Sequence, residues 1–448
     1  MSTTYDQKNL KVSLFSLLVI FILGILCLQA FNLVADPIAA SLNVAGTKAG
    51  LITAIPGIVL GIVCFIYGSL GDFVSLKKMT LIGISTLVLG SVLGFFMHDE
   101  LWQVILFRAI QTAGAQVAGS VYLVITAKYI EDSEKVIYFG IFTAGYQLST
   151  AIGIFAAGAL MSIDWAYLFL IPAFSIIFLP VLMKNLPETD VQDVHVDVPG
   201  FIIFGLAICL LTLFFTYNAM WMIIGSILFF VVFGVYINKA AQPFITPEFF
   251  QNKRWRKAIL LILIFYFVNY AVQPTAYNIY TAYYGLDASQ IPMFLVWSNV
   301  VATIVAVSSG KIVGKIGREK ATITAASFMI LGFASAAKMA SVSEVALAVA
   351  ICVIYIGLGL LFSPVVDTVL STIPSDQIGR GIGMNDLAMN VTASIGIAIY
   401  FKIMGMVPQG ASADVALDTY ANCFMLSAAV ALLGLVVYLA IKNKVYED

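Results

Sequence analysis

The sequence has very little charge. Only 10% of its 448 residues are Asp, Glu, Lys or Arg, whereas soluble globular domains carry about 25%. Hydrophobic residues make up 61%, and the mean hydropathy is +1.00. This composition excludes a soluble globular fold, and continuous apolar runs of about 20 residues favour helices over a membrane β-barrel. We therefore predict an all-α polytopic membrane protein.

Residues of enzymatic and metal chemistry are also scarce. The two histidines, His98 and His195, fall in predicted loops, and the five cysteines stand in apolar runs without metal-ligand spacing. No glycine-rich phosphate-binding loop of the ATPase type occurs in the sequence. We predict that the protein is not an enzyme, has no catalytic residues, and needs no metal, cofactor or nucleic acid. An ion gradient, or the gradient of a solute, would then drive any transport.

Fourteen apolar stretches are long enough to cross a bilayer as helices, which takes about 20 residues. The connections between them are mostly short, the longest polar ones being Lys184–Val198 and Asn238–Lys257. The predicted spans are 13–36, 48–70, 79–97, 101–127, 136–160, 163–183, 198–217, 219–239, 257–283, 290–313, 321–339, 343–368, 380–404 and 419–441.

Basic residues are distributed unevenly between the two sides of these spans. Most of the 23 Lys and Arg residues fall on the side that contains the N-terminus, and basic loops are typical of the cytoplasmic side. Because the number of spans is even, both termini are predicted to be cytoplasmic. We expect a monomer in a cytoplasmic membrane of the bacterial type.

A short charged stretch, Gly68–Lys78, separates the second and third spans. Its sequence, GSLGDFVSLKK, resembles the loop signature of the major facilitator superfamily, and Gly310–Lys320 (GKIVGKIGREK) is a partial second copy. Two copies indicate an internal repeat, which is typical of transporters. The alternative is a generic basic loop, which most polytopic proteins have. The matching residues of the first copy are Gly68, Leu70, Asp72 and Lys77.

Motifs in later spans resemble the 14-helix drug:proton antiporters of that superfamily. Arg108, Gln111 and Gly114 in helix four resemble the motif Arg-x-x-Gln-Gly-x-Gly. Helix five has glycine spacing similar to the antiporter motif, with Ile154 in place of its proline. The segment DWAYLFLIPAF at Asp164–Phe174 resembles another segment of these antiporters.

This resemblance implies the major facilitator fold. The N-terminal six-helix bundle would comprise residues 1–185, an inserted helix pair 186–250, and the C-terminal six-helix bundle 251–448. The resemblance also implies that helices one, four, nine and twelve line a central cavity, and that protons are exchanged for the transported compound.

Four charged side chains stand out within the predicted spans: Asp36, Arg108, Asp367 and Asp386. A charge deep in a span costs about 2.5–3.5 kcal/mol to insert, so each is a functional candidate. We assign them to proton coupling, with Asp36 and Arg108 as a candidate pair at similar depth. The alternatives are a solvated helix end for Asp36, and charges at headgroup level for Asp367 and Asp386.

Helix nine carries a stripe of tyrosines at steps of three and four residues, and Pro274 is expected to loosen its backbone. Aromatic faces and hydroxyl groups suit flat or cationic organic molecules. An interfacial aromatic belt is the alternative, which explains Tyr280 but not the deeper Tyr266 and Tyr270. The predicted substrate-binding residues are Gln29, Asn32, Gln111, Tyr266, Asn269, Tyr270, Gln273, Tyr277 and Trp297.

A gate is predicted at the cytoplasmic ends of helices two and thirteen, formed by Gly68, Asp72, Lys77 and Arg380. When this side is closed, Asp72 should approach the first turn of helix thirteen, around Gly379–Gly383. The positive end of the helix and the Arg380 side chain would both attract its carboxylate.

These features predict an antiporter that uses the proton gradient to export amphipathic drugs or other small organic molecules across the bilayer. A facilitator or symporter that imports a small nutrient is the alternative within the same superfamily. An intramembrane enzyme or a receptor is a more distant alternative, because the sequence shows neither a polar catalytic cluster nor a soluble domain.

Overall fold

The computed structural model describes residues 7–44, 51–71, 74–161, 163–187, 197–287, 290–408 and 410–446. Helices are the only regular secondary structure in these residues. Fourteen helical segments among them are long and apolar enough to cross a membrane. The structure thus confirms the predicted number of spans and the all-α class.

We number these segments α1–α14 in chain order. The first seven are Gln7–Leu33 (α1), Leu51–Leu70 (α2), Leu76–Phe96 (α3), Leu101–Tyr129 (α4), Asp132–Met161 (α5), Trp165–Asn185 (α6) and Val198–Tyr217 (α7). The other seven are Met220–Lys239 (α8), Lys253–Ala282 (α9), Pro292–Ile316 (α10), Arg318–Met339 (α11), Glu344–Leu370 (α12), Ile378–Met404 (α13) and Ala413–Tyr446 (α14).

Segment α9 is interrupted in its middle. Its α-helical parts are Lys253–Tyr266 and Val272–Ala282, and a 3₁₀ turn, Asn269–Ala271, lies between them. Pro274 explains the interruption, because it has no N–H group and its ring collides with the carbonyl four residues earlier, that of Tyr270. The break therefore lies one turn before the proline, and it places Tyr270 within the irregular part of the segment.

The segments pack in two groups. In the first, α1 packs against α4 and α5, and α4 packs against α2 and α3. In the second, α12 packs against α10 and α11, α14 packs against α9 and α11, and α13 packs against α9. Segments α7 and α8 pack on each other, and α7 also contacts α2 and α13. This packing supports two bundles with an inserted pair, and the division at residues 185 and 250 remains our proposal.

Both described ends of the chain lie at one end of the molecule, which we call the terminal face. There Lys11 of α1 pairs with Glu134 of α5 at 3.2 Å, and Lys442 of α14 pairs with Glu319 of α11. These contacts fix the starts of α5 and α11 beside the first and last spans.

Two close backbone contacts join the two groups near the terminal face. A Cβ atom added at Gly68 of α2 would lie 2.3 Å from the Cα of Gly383 on α13. A Cβ atom added at Gly140 of α5 would lie 2.4 Å from the carbonyl oxygen of Ala306 on α10. We call these contacts the α2–α13 seam and the α5–α10 seam. Helices can approach this closely only where a residue has no side chain, so these glycines let the two groups meet.

Asp197 attaches the α7–α8 pair to the chain that follows it. Its carboxylate accepts hydrogen bonds from the backbone N–H of Gly200 at 2.9 Å, from that of Phe244 at 3.0 Å and from the hydroxyl of Tyr236. The ring of Phe244 stacks on Phe201 at the start of α7, with centroids 4.3 Å apart. One buried carboxylate thus holds the beginning of α7, the end of α8 and the following connection together.

We expect Asp197→Ala to lower the free energy of unfolding by about 2–4 kcal/mol, because three hydrogen bonds to a charged acceptor are lost and the Phe244 N–H is left buried without a partner. Thermal unfolding of the purified protein in detergent measures this effect. Tyr236→Phe is the matched control, since it removes only one of the three bonds and should cost less. Equal melting temperatures for Asp197→Ala and the unchanged protein would contradict the tethering role.

Candidate functional site

A chain of polar side chains crosses the centre of the molecule between the two groups of helices. The amide of Gln29 on α1 donates to the hydroxyl of Tyr146 on α5 at 3.3 Å, and that hydroxyl interacts with the hydroxyl of Tyr270 on α9. The Tyr270 hydroxyl donates to the Asn390 side chain on α13 at 3.0 Å. We call these four residues the central polar chain. It contains two residues from each group, so movement of the groups relative to each other changes it.

Asp386 lies one turn before Asn390 on α13, and its backbone carbonyl accepts a hydrogen bond from the Asn390 amide at 2.8 Å. The residue is only 6% exposed, and Oδ2 of its carboxyl group has no hydrogen-bond partner. Among the residues that the structure describes, its electrostatic neighbours are the neutral Tyr266 and Cys64, and no cation pairs with it. A buried carboxylate without a counter-charge is costly, so this group is suited to hold a proton or a cationic ligand.

Four other residues of α9 are predicted substrate contacts. Tyr266, Asn269, Gln273 and Tyr277 are partly buried, and the Gln273 side chain bonds to Tyr355 of α12. Tyr266 interacts electrostatically with Tyr146 of the central polar chain, and all four residues remain predicted substrate contacts.

Tyr280 belongs to the same stripe of tyrosines but is not one of the predicted substrate contacts. It is fully buried, donates a hydrogen bond to the Glu344 carbonyl at 3.0 Å and stacks on Phe294 with centroids 5.2 Å apart. Tyr280 therefore packs α9 against α10 and α12. The alternative of an interfacial aromatic belt would have placed its side chain at the membrane surface instead.

Gln111 is occupied by contacts between helices. Its amide donates to the Ser91 hydroxyl at 2.9 Å and to the Phe169 carbonyl at 3.1 Å, and its oxygen accepts from the Cys27 thiol at 3.3 Å. These bonds attach α4 to α1, α3 and α6. Its role in substrate binding stays a prediction, and in this structure its polar groups are already paired.

Trp297 and Asn32 are the most exposed of the predicted substrate-binding residues. Trp297 on α10 is 58% exposed, and Asn32 is exposed near the end of α1. Exposure of a tryptophan on a membrane-length helix fits a position that faces lipid. The roles of both residues in substrate binding stay predictions.

Arg108 is buried between α4 and α1. It is 1% exposed, its guanidinium carbon lies 4.2 Å from the centre of the Phe31 ring, and the Cys27 thiol is its hydrogen-bond neighbour. The side chain of Asp36 lies outside the described residues, so the Asp36–Arg108 pair stays a prediction.

Asp367 lies near the terminal face rather than at the centre. Its Oδ2 is 2.6 Å from Nε of Arg318 at the start of α11, and the ion pair of Lys135 and Asp132 at the start of α5 is nearby. This cluster of four charges lies where the two groups meet. The structure thus shows an ion pair at Asp367, while its part in proton coupling remains a prediction.

The predicted gate is described only in part. Asp72 lies outside the described residues, so its approach to helix thirteen stays a prediction. One turn earlier, Gly68 does contact the predicted region, because its α-carbon packs against Gly379 and Gly383. Arg380 stands in the first turn of α13, and Lys77 in the first turn of α3.

Sequence reasoning missed Tyr146, whose hydroxyl joins the two groups of helices within the central polar chain. It lies on α5, which the resemblance does not count among the cavity helices. A signal was available in the sequence, because Tyr146 is followed by Gln147, the one amide side chain of the predicted span 136–160. Helical spacing alone could not show that its hydroxyl meets Gln29 and Tyr270.

Comparison with known proteins identifies the family. The sequence profile of the Major Facilitator Superfamily matches residues 17–397. The riboflavin transporter RibZ of Clostridioides difficile (strain 630) is 22% identical over 396 residues, which cover 85% of this chain and 87% of that protein. The quinolone resistance protein NorB of Staphylococcus aureus (strain MSSA476) is 21% identical over 361 residues, which cover 76% of each.

One further relative and one solved structure are also similar to this chain. The uncharacterized MFS-type transporter YvkA of Bacillus subtilis (strain 168) is 25% identical over 394 residues, which cover 86% of each chain. The crystal structure of the human organic anion transporter MFSD10 (TETRAN) matches the fold with a TM-score of 0.66 at 12% identity, covering 93% of this chain and 99% of that one. With its fourteen candidate spans and two groups of helices, the chain belongs to the Major Facilitator Superfamily and is a multi-pass membrane transporter.

Proposed function

We propose that this transporter is an antiporter that exports amphipathic organic compounds in exchange for protons. The observation that carries the proposal is the buried Asp386 carboxyl, which lies beside the central polar chain without a cationic partner among the described residues. Such a group can exchange a proton when its surroundings change. The energy source is the proton gradient, and no cofactor is required.

The α2–α13 and α5–α10 seams control access to the central polar chain in the proposed mechanism. The close contacts at Gly68 and Gly140 hold the two groups together near the terminal face, and we take this as the closed side of the transporter. Alternating access requires these seams to separate and the opposite ends of the helices to approach. Because the link between Tyr146 and Tyr270 joins the two groups, a compound bound between them would replace that link with its own polar contacts.

We assign the terminal face to the cytoplasm of a bacterial-type cell. The connections on that side contain most of the Lys and Arg residues, including the basic turn Lys253–Lys257 at the start of α9. With this orientation, the structure corresponds to a state closed toward the cytoplasm.

Transport by purified protein in proteoliposomes tests the proposal. With an imposed proton gradient, the protein should accumulate an amphipathic dye against its concentration gradient, and collapsing the gradient with a protonophore should stop accumulation. Equal fluxes with and without the gradient would overturn proton coupling and identify a facilitator.

Import of a small nutrient is the second candidate function. Similarity to the riboflavin transporter RibZ over 85% of this chain favours a small nutrient as the transported compound, since a flavin ring is flat and polar and would fit among tyrosines. Riboflavin flux in the same proteoliposomes distinguishes the candidates, because import predicts net movement toward the terminal face and export the reverse.

The tyrosines of α9 should determine how different compounds are discriminated. We expect Tyr270→Ala and Tyr277→Ala to weaken binding by about two- to tenfold, and unequally across compounds, because aromatic stacking depends on ligand shape. Equilibrium binding of several dyes measures this effect. Tyr217→Ala is the control, since Tyr217 is exposed at the end of α7. An equal loss for all compounds together with a lower melting temperature would assign these tyrosines to packing.

A further inference from the structure

Arg108 lines a small cavity that proton exchange at Asp386 does not use. The cavity lies between α1, α2 and α4, within the first group of helices. Its walls combine apolar side chains with three further polar ones from the helix that carries Arg108. They include Ile25, Leu28, Leu60, Gln111, Thr112 and Gln116.

The neighbours of the Arg108 guanidinium in this cavity are neutral. One is the face of the Phe31 ring and another is the Cys27 thiol. Its Nε and Nη2 atoms are buried and have no hydrogen-bond partner, and no carboxylate of the described residues pairs with it. A guanidinium is always charged and carries five N–H donors in a planar fork. Among the described residues these neighbours carry no negative charge, and a buried guanidinium whose charge is not compensated is costly unless an anion binds.

We propose that Arg108 binds the carboxylate of an amphipathic organic substrate. The fork of the guanidinium matches the two oxygens of a carboxylate, and the Ile25, Leu28 and Leu60 side chains would contact the adjoining apolar part. This inference rests on the proposed transport function and specifies its substrate as an organic anion. The carboxylate has two potential sources, the substrate and the Asp36 side chain of the protein itself, and the experiment separates them.

Calorimetric binding to the detergent-purified protein tests the inference with a matched pair of probes. Naphthalene-1-acetate carries the carboxylate, and naphthalene-1-acetamide has nearly the same shape without the charge. We expect the unchanged protein to bind the acetate about tenfold or more tightly than the acetamide, since hydrogen bonds to charged groups are the strong ones. Equal affinities for the two probes would overturn the inference without any variant.

Variants of Arg108 and Asp36 then test whether the preference for the acetate depends on the Arg108 guanidinium. Arg108→Gln should abolish the preference for the acetate and leave acetamide binding unchanged, whereas Arg108→Lys should retain part of it, because the charge remains while the fork is lost. Asp36→Asn should leave acetate affinity unchanged. If a preference for the acetate appears only in Asp36→Asn, the guanidinium is committed to an internal pair and the inference is wrong.

The binding test of the anion site and the transport test of proton-driven export can fail independently of each other. Binding in detergent requires no proton gradient, so a protein that prefers the acetate yet fails to accumulate dyes would contradict proton-driven export alone. A protein that accumulates dyes but binds both naphthalene probes equally would contradict the anion site alone.

Discussion

Replacing Asp386 with asparagine is expected to abolish accumulation of substrate against its gradient. Asparagine has the shape of the protonated carboxyl but cannot release a proton, so the cycle loses the step that couples it to the gradient. The substrate should still bind, and it should still equilibrate across the membrane down its own gradient. The assay is dye transport in proteoliposomes with an imposed proton gradient, combined with equilibrium binding to the same preparation.

Asp376→Asn is the matched control for this substitution. Asp376 is exposed in the short 3₁₀ turn Ser375–Gln377, just before α13, so its replacement changes the same charge near the same helix without touching the centre. Asp36→Asn and Asp367→Asn belong in the same assay, because both acids remain predicted coupling groups. If Asp386→Asn accumulates dye at the original rate while one of these variants does not, the coupling acid lies elsewhere.

Gly68→Ala is expected to open the terminal face. The added Cβ would lie 2.3 Å from the Cα of Gly383, a backbone atom that cannot rotate away, so the α2–α13 seam must separate. Overpacking of this kind costs about 1–3 kcal/mol, which shifts a two-state equilibrium by about 5- to 150-fold. We therefore expect a population shift toward the state open at this face, and a slower transport cycle.

The population shift can be measured by labelling Cys64 with a membrane-impermeant maleimide. The experiment uses a protein in which the other four cysteines have been replaced. Cys64 is buried one turn from the seam, where the Asn390 amide contacts its sulfur at 3.7 Å, and should become reactive when the seam opens. Gly57→Ala on the same helix is the control, since no atom lies within 4 Å of the added Cβ there. Equal labelling rates in the two variants would show that the seam does not control access.

The sequence by itself determined the membrane architecture. The scarcity of charge and the length of the apolar runs were enough to predict fourteen spans, because a bilayer accepts few structures other than a helix with all its backbone hydrogen bonds made internally. The loop motifs were enough to indicate the superfamily. Pro274 was enough to predict an interruption of α9, because the loss of its N–H is a local effect.

Only the tertiary structure decided which polar side chains meet. Asp367 and Asp386 are both acids in late spans, yet one pairs with Arg318 near the terminal face and the other lies beside Asn390, with no counter-charge among the described residues. Gln111 is occupied by other helices, whereas Tyr146 connects the two groups. The periodicity of one helix shows which residues share a face. It does not show which helix packs on that face or at what height, and those two quantities determine every contact in the site.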